Sequence, residues 1–279
     1  MITAKNRIKQ FIDEYHFRLE NNTLIKYQNA IQQFLSFCNK DFDNITRKDV
    51  RDWQQRLNRN AYMPSTIHAK IAALKTFFSY CQEEKLVQRN PADDILLPKK
   101  AEPTPHYLTQ ERLVQLRNLV RGNLIQRAVI ETFLTTGVRL RELTNMKLEN
   151  VYWSERMMII PEGKNKRERV ILFTKDCAEH LNSYLQTRDD DLPYLFANTL
   201  GTRPLQPRTI QHWFENYRKE LGFYLTVHTL RHTFAANLAQ KGMALSSIQV
   251  LLGHENPENT QVYVNLYADA QKQLYDEWM

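Results

Sequence analysis

Six residues in the second half of the chain share one chemical competence, the handling of a phosphodiester. Arg139 follows a glycine in TGVRLREL (136–143), with Arg141 and Glu142 behind it. Lys164 lies in GKNKRERVI (163–171), His228 and Arg231 in HTLRHTFAANL (228–238), and His254 and Tyr263 in LLGHENPENTQVY (251–263). A guanidinium grips a phosphate through two parallel hydrogen bonds. Fixed guanidinium and imidazole donors stabilise the charge that gathers on the non-bridging oxygens of a pentavalent transition state. A lysine in a basic, partly desolvated place can protonate a leaving alkoxide. A tyrosine hydroxyl can be the nucleophile and form a covalent phosphotyrosine. Glu142 fits as an anchor for its own helix or for a neighbouring arginine.

Each feature alone has a plainer explanation. Arg139 and Arg141 fit a solvated helix start, Lys164 a turn, and His254 a loop after a glycine C-cap at Gly253. Tyr263 and Tyr267 are four apart, the spacing of a packing stripe. His228 and His232 are also four apart, a zinc-ligand spacing, but the zincin motif needs glutamate after the first histidine and here it is Thr229. The combination is what favours phosphodiester chemistry, with phosphate ligands and proton donors in number and no carboxylate or cysteine cage for a metal. Three rival readings stay open on the residues alone: a relaxing enzyme with topoisomerase-like chemistry, a DNA-binding or architectural protein that does not cut, and a metal-dependent hydrolase.

The elements that must position these residues are mainly helical. Leu24, Tyr27, Ile31, Phe34, Leu35 and Cys38 recur at helical spacing behind Thr23 as N-cap, and Ile67, Ile71, Leu74, Phe77, Phe78 and Cys81 repeat it after Pro64. A shorter helix is predicted from Thr46 through Leu57, and Asn90-Pro91 is read as the end of the last long helix before the linker. PKKAEPTP (98–105) has the proline and charge of an extended linker, so domains are expected at 1–98 and 106–279, with a linker over 99–105. Beyond it, helices are predicted after Thr109 and over 124–136, 175–187, 206–220, 228–241, 245–252 and 260–267. Residues 157–160 and 169–173 read as a β-hairpin with a basic tip. The fold class is therefore mainly α with a small antiparallel β-sheet.

Composition sets the partners. The 279 residues carry 38 Lys and Arg against 31 Asp and Glu, a net charge of +7. The excess is shared, 15 basic against 11 acidic up to residue 98 and 23 against 20 after it. That balance makes nucleic acid a plausible partner. Apolar runs are far too short for a bilayer, the start lacks a secretory core, and Cys38, Cys81 and Cys177 are scattered without a CxxC. A cytoplasmic protein with no membrane partner is expected.

Taken in order, the motifs resemble the tyrosine recombinases, the phage-integrase family, over about Asn21 to Tyr267. The spacing agrees as well: Lys164 is 25 residues after Arg139, His254 is 23 after Arg231, and Tyr263 is nine after His254. The resemblance implies that Arg139 and Arg231 clamp the scissile phosphate, Lys164 is the general acid for the 5′-oxygen, and His228 assists proton transfer. It further implies that His254 bonds a non-bridging oxygen, Tyr263 forms a 3′-phosphotyrosine, and Glu142 is structural support. It implies a helical core-binding domain and a catalytic domain clamped around duplex DNA bearing inverted core-recognition sites, a homo-tetramer on synapsed DNA, and no metal, nucleotide or other cofactor. Thr66, His68, Lys70 and Lys75 near the groove-facing helices, with Lys166, Arg208 and His212 in the second domain, are the implied DNA contacts. The compact form is similar to Xer-type or transposon-borne resolvases, which points to resolving or integrating mobile-element DNA. The polar last segment, with Leu274 and Trp278 four apart, is expected to dock into a neighbouring protomer.

Overall fold

Apolar residues at helical spacing close the first unit, Met1–Glu102, around four helices. The structure, a computed structural model, describes residues 4–98, 106–161, 168–253 and 258–278. The first unit contains α1 (Ala4–Tyr15), α2 (Asn21–Cys38), α3 (Arg47–Arg59) and α4 (Pro64–Glu83). Phe11, Ile31, Phe34, Trp53, Ile71, Leu74, Phe77 and Phe78 fill its core. Phe34 meets Trp53 at 5.1 Å between ring centres and Phe78 edge-on at 6.2 Å. Thr46 starts α3 with a reciprocal cap, its hydroxyl taking the Asp49 amide while the Asp49 carboxylate takes the Thr46 amide.

Three details differ from the sequence reading. Helix α1 has no counterpart in it. Helix α2 begins at Asn21 with Glu20 at the cap, so Thr23 lies inside the first turn. Helix α4 stops at Glu83, well before Asn90-Pro91, because the chain turns through Lys85 in the left-handed region (φ 57°). Asn90 then pins the following loop by donating to the Lys75 carbonyl and the Ser79 hydroxyl, 3.0 Å each. The expected linker, 99–105, lies outside the described residues.

The second unit, Pro103–Met279, begins with α5 (Gln110–Leu119), capped by Thr109, and α6 (Leu124–Thr136). The short α7 (Leu140–Thr144) leads to β1 (Val151–Tyr152), β2 (Met157–Ile160) and β3 (Arg169–Leu172). Then come α8 (Lys175–Leu185), α9 (Pro207–Leu221), α10 (Val227–Gln240), α11 (Leu245–Leu252), α12 (Glu258–Gln261) and α13 (Val264–Trp278). The three strands form one antiparallel sheet in the order β1-β2-β3, with Met158 opposite Ile171 and Ile160 opposite Arg169. Strand β1 extends the expected hairpin to a sheet. Helix α6 is buried along most of its length, from Ala128 to Thr136, and packs against α8 and α10. A second apolar cluster joins Phe234, Ala235 and Ala239 of α10 to Ile248 and Leu252 of α11 and to Tyr263.

The last predicted helix is two helices. Tyr263 stands in the turn between α12 and α13, and its carbonyl accepts the first bond of α13 from the Tyr267 amide at 3.0 Å. Helix α13 packs on α10 of its own unit, Ala270 is buried, and Leu274 lies beside Gly242. Leu274 thus touches its own unit while staying 40% exposed, and Tyr275 is 64% exposed. Among the described residues no helix is long and apolar enough to cross a membrane.

Candidate active site

The site is built around the end of one helix. The C-terminal carbonyls of a helix have no partners within it and carry the negative end of its dipole. At α11 these carbonyls meet three guanidiniums. Arg169 Nε donates to Leu251 O at 3.2 Å, Arg231 Nη2 to Leu252 O at 2.6 Å, and Arg139 Nη2 to Gly253 O at 2.7 Å. Arg231 Nη1 also donates to the carbonyl of Gly137, which ends α6.

Gly137 is required where it stands. Its φ is +61°, and a Cβ there would lie 2.4 Å from Cδ1 of Phe234. This close turn delivers Arg139 to the start of α7. There the Arg139 amide donates to Glu142 Oε2 at 2.7 Å and its Nη1 to Oε1 at 2.8 Å. The same carboxylate receives both Nη groups of Arg169, at 3.0 and 2.7 Å.

Two guanidiniums, those of Arg139 and Arg169, thus share one carboxylate, while Arg231 is held by backbone carbonyls beside them. Burial alone would raise the Glu142 pKa, but hydrogen bonds from Arg169 and from the Arg139 amide outweigh it and hold the carboxyl at about 2. Arg231 is only 6% exposed. Burial first, and the charge of Arg139 second, push its guanidinium down to about 9, so it remains charged at neutral pH. A half-buried surplus of positive charge is a place that favours an anion.

The histidines and the tyrosine adjoin this cluster. His228, in the first turn of α10, is exposed, and its pKa is lowered by partial desolvation and by the charges of Arg231 and Arg139. Tyr263 is 1% exposed, and its hydroxyl lies 2.5 Å from Nδ1 of His232. Burial pushes the phenol up to about 12, while Arg231 draws it the other way. Tyr267, one turn on, is half-buried on α13.

Of the residues named from sequence, Arg139, Glu142, His228, Arg231 and Tyr263 are brought to this region by α7, α10 and the α12–α13 turn. Lys164, Lys166 and His254 lie outside the described residues. Two participants were missed. Arg169 is hidden in sequence among the basic residues of GKNKRERVI, and His232 was weighed only as a zinc partner of His228. His232 instead contacts the Tyr263 hydroxyl, and among the described residues no group of three or more His, Cys, Asp or Glu could hold a metal ion.

The proposed DNA-contact residues divide. On α4, Thr66 and His68 are half-buried, and Lys70 bonds Gln33 and lies over the rings of Trp53 and Tyr62 at 6.0 and 5.5 Å. Lys75 donates to the Asp93 carbonyl at 2.7 Å, which ties it to a loop of its own unit. On α9, Arg208 and His212 are exposed beside Glu215, at 3.7 and 3.4 Å.

Both units of the chain are similar to known proteins. Residues 106–269 match the phage integrase family, and residues 7–88 match the phage integrase N-terminal SAM-like domain. Tyrosine recombinase XerC of Bacillus licheniformis is 31% identical over 297 aligned positions, covering 99% of this chain and 96% of the relative. Tyrosine recombinase XerA of Pyrococcus horikoshii is 30% identical, covering 86% and 84%. Among solved structures, a XerA recombinase crystal structure is 27% identical with a TM-score of 0.55, covering 98% of each chain. The Tn1549 transposon integrase with circular intermediate DNA is 19% identical with a TM-score of 0.80, covering 98% of this chain and 99% of that one.

Proposed function

The chain belongs to the phage integrase family and is a tyrosine recombinase, an enzyme of site-specific DNA recombination; on that premise we propose that Tyr263 is its nucleophile and Arg139 and Arg231 its phosphate clamp. The observation that carries this reading is the surplus of guanidinium charge around the single carboxylate of Glu142, next to a buried phenol. A scissile phosphodiester entering there replaces repulsion between Arg139 and Arg231 with charge-assisted hydrogen bonds. Each guanidinium has five N–H donors, so Arg139 and Arg231 retain donors beyond those given to backbone carbonyls and to Glu142.

Attack of the Tyr263 oxygen on phosphorus forms a 3′-phosphotyrosine and releases a 5′-hydroxyl. Lys164 protonates that leaving oxygen, His228 assists proton transfer, and His254 hydrogen-bonds a non-bridging oxygen of the reacting phosphate. The phosphotyrosine keeps the energy of the broken bond, so the 5′-hydroxyl of a partner strand reseals it without ATP. The DNA is a duplex with inverted half-sites, bound in the cytoplasm by four copies in synapsis. Likeness to neighbouring structures supports DNA and a tetramer: one is a lambda integrase tetramer bound to a Holliday junction. Transposon DNA is supported by likeness of fold to the Tn1549 integrase alone; this bears on the mobile-element reading more weakly than the Xer relatives bear on recombination itself.

The test is adduct formation on a nicked suicide half-site. Tyr263→Phe is expected to bind the site and form no covalent adduct, and Tyr267→Phe to form it. A trapped peptide carrying the nucleotide on Tyr267 would overturn the assignment. Relaxation of plasmid without any requirement for two sites would point to the topoisomerase-like reading instead.

A further inference from the structure

His232 is in contact with the reacting atom of the proposed nucleophile. It is half-buried on α10, and its Nδ1 lies 2.5 Å from the Tyr263 hydroxyl oxygen with the rings 6.1 Å apart at 49°. We propose that His232 is the proton acceptor for Tyr263, taking the phenolic proton at Nδ1 as the tyrosine oxygen attacks phosphorus. This rests on the reading of Tyr263 as nucleophile.

The step balances. The bond from Tyr263 Oη to phosphorus forms, the bond from phosphorus to the 5′-oxygen breaks, and the phenolic proton passes to His232 to give an imidazolium. The 5′-oxygen takes its proton from the general acid, Lys164 in the scheme above. On resealing, the incoming 5′-hydroxyl gives its proton to the deprotonated Lys164 as its oxygen displaces Tyr263 from phosphorus, and the imidazolium returns the proton to the phenolate. The site is then reset for the next strand.

The surroundings suit an acceptor that is neutral before the reaction. The charged and titratable groups facing His232 are His228 and Arg231 on its own helix, His106 ahead of α5, and Tyr263. Burial first, then the charges of His228, Arg231 and His106, lower its pKa. A buried phenol close to 12 does not ionise unaided near neutrality, so proton transfer has to accompany attack. His228 is exposed and is a less suitable acceptor from a tyrosine that is 1% exposed.

The experiment measures single-turnover adduct formation on the nicked half-site between pH 5 and 8, with DNA binding followed by gel shift. His232→Asn keeps a hydrogen-bonding group near the position of Nδ1 but cannot take up the proton. It is expected to bind DNA as the parent does, to form adduct about 100-fold more slowly, and to lose the acid limb of the parent's pH profile. An Asn variant with the parent's rate, or with an unchanged acid limb, overturns the proposal and leaves that limb to His228. Should the variant fail to fold, the parent and His228→Asn decide: a flat parent profile, or an acid limb that disappears in His228→Asn, overturns the proposal, and a limb below pH 6.5 that persists in His228→Asn supports it. Tyr263→Phe runs alongside. Adduct persisting in that variant overturns the nucleophile reading and this inference with it, whereas its absence beside a fully active Asn variant overturns His232 alone.

Discussion

The Arg169 guanidinium meets the Glu142 carboxylate in two parallel hydrogen bonds, 3.0 and 2.7 Å long, and so ties the start of β3 to the start of α7. Glu142 holds Arg139 by the same carboxylate. The strand that follows the Lys164 segment and the helix that presents Arg139 are therefore oriented by one acidic side chain.

Glu142→Gln tests that tie. Removing one partner of a half-buried ion network leaves uncompensated charge, at a cost of about 2–4 kcal/mol. The pH dependence has a definite sign. The Glu142 pKa falls from 4.5 to about 2 on folding, so its contribution is full above about pH 4.5 and is lost as pH falls towards 2. That difference is worth on the order of 3 kcal/mol. Urea unfolding of the variant should show lower stability at pH 7 and a weaker loss between pH 4.5 and 2. Equal acid sensitivity in both proteins would count against the network.

Gly137→Ala tests the turn that sets Arg231. The new Cβ enters the left-handed region and meets Phe234 and Leu252 at 2.4 to 3.0 Å. Overpacking and backbone strain together should cost about 2–4 kcal/mol. Because Arg231 donates to the Gly137 carbonyl, adduct formation should fall more than stability alone requires. Thermal melts and suicide-substrate kinetics on the folded fraction separate the two effects.

Lys164→Ala is expected to slow cleavage of ordinary DNA by about 100-fold or more. A substrate with a 5′-bridging phosphorothiolate should be spared, since its leaving group needs no proton. Equal losses on both substrates would give Lys164 a positioning role or transfer the acid role to Lys166.

Removing residues 271–279 tests the end of the chain. Residues 271–277 are exposed, Leu274 by 40% and Tyr275 by 64%. The truncated protein should keep its Tm to within about 4 °C, the equivalent of about 1 kcal/mol in a chain of this size. Single half-site binding should persist, and cooperative assembly on two half-sites should weaken. Unchanged assembly would confine this helix to packing on its own unit.

Local patterns in the sequence were enough for most helices. Periodicity and caps act within a few residues, so Thr46, Thr109 and Gly137 could be placed at helix ends, and Ile71, Leu74 and Phe78 on a buried face, without the fold. The order and spacing of the arginines, histidines and tyrosine likewise pointed to phosphodiester chemistry. Helix α1 was legible and not read: Ile8, Phe11, Ile12 and Tyr15 stand at i, i+3, i+4 and i+7, the stripe of an amphipathic helix. The break at Tyr263 was missed because a four-residue spacing reads as one helix whether or not a turn intervenes. The site itself required the tertiary structure. Arg169, Arg231 and Arg139 reach successive carbonyls of α11 across 82, 21 and 114 residues of sequence. The low pKa of Glu142 and the high pKa of Tyr263 arise from burial and from partners met only on folding. His232 could be read beside His228 on one helix, but its contact with Tyr263 depends on packing between segments 31 residues apart. Backbone hydrogen bonding makes secondary structure a local property, whereas desolvation and charge pairing depend on which distant segments exclude water together.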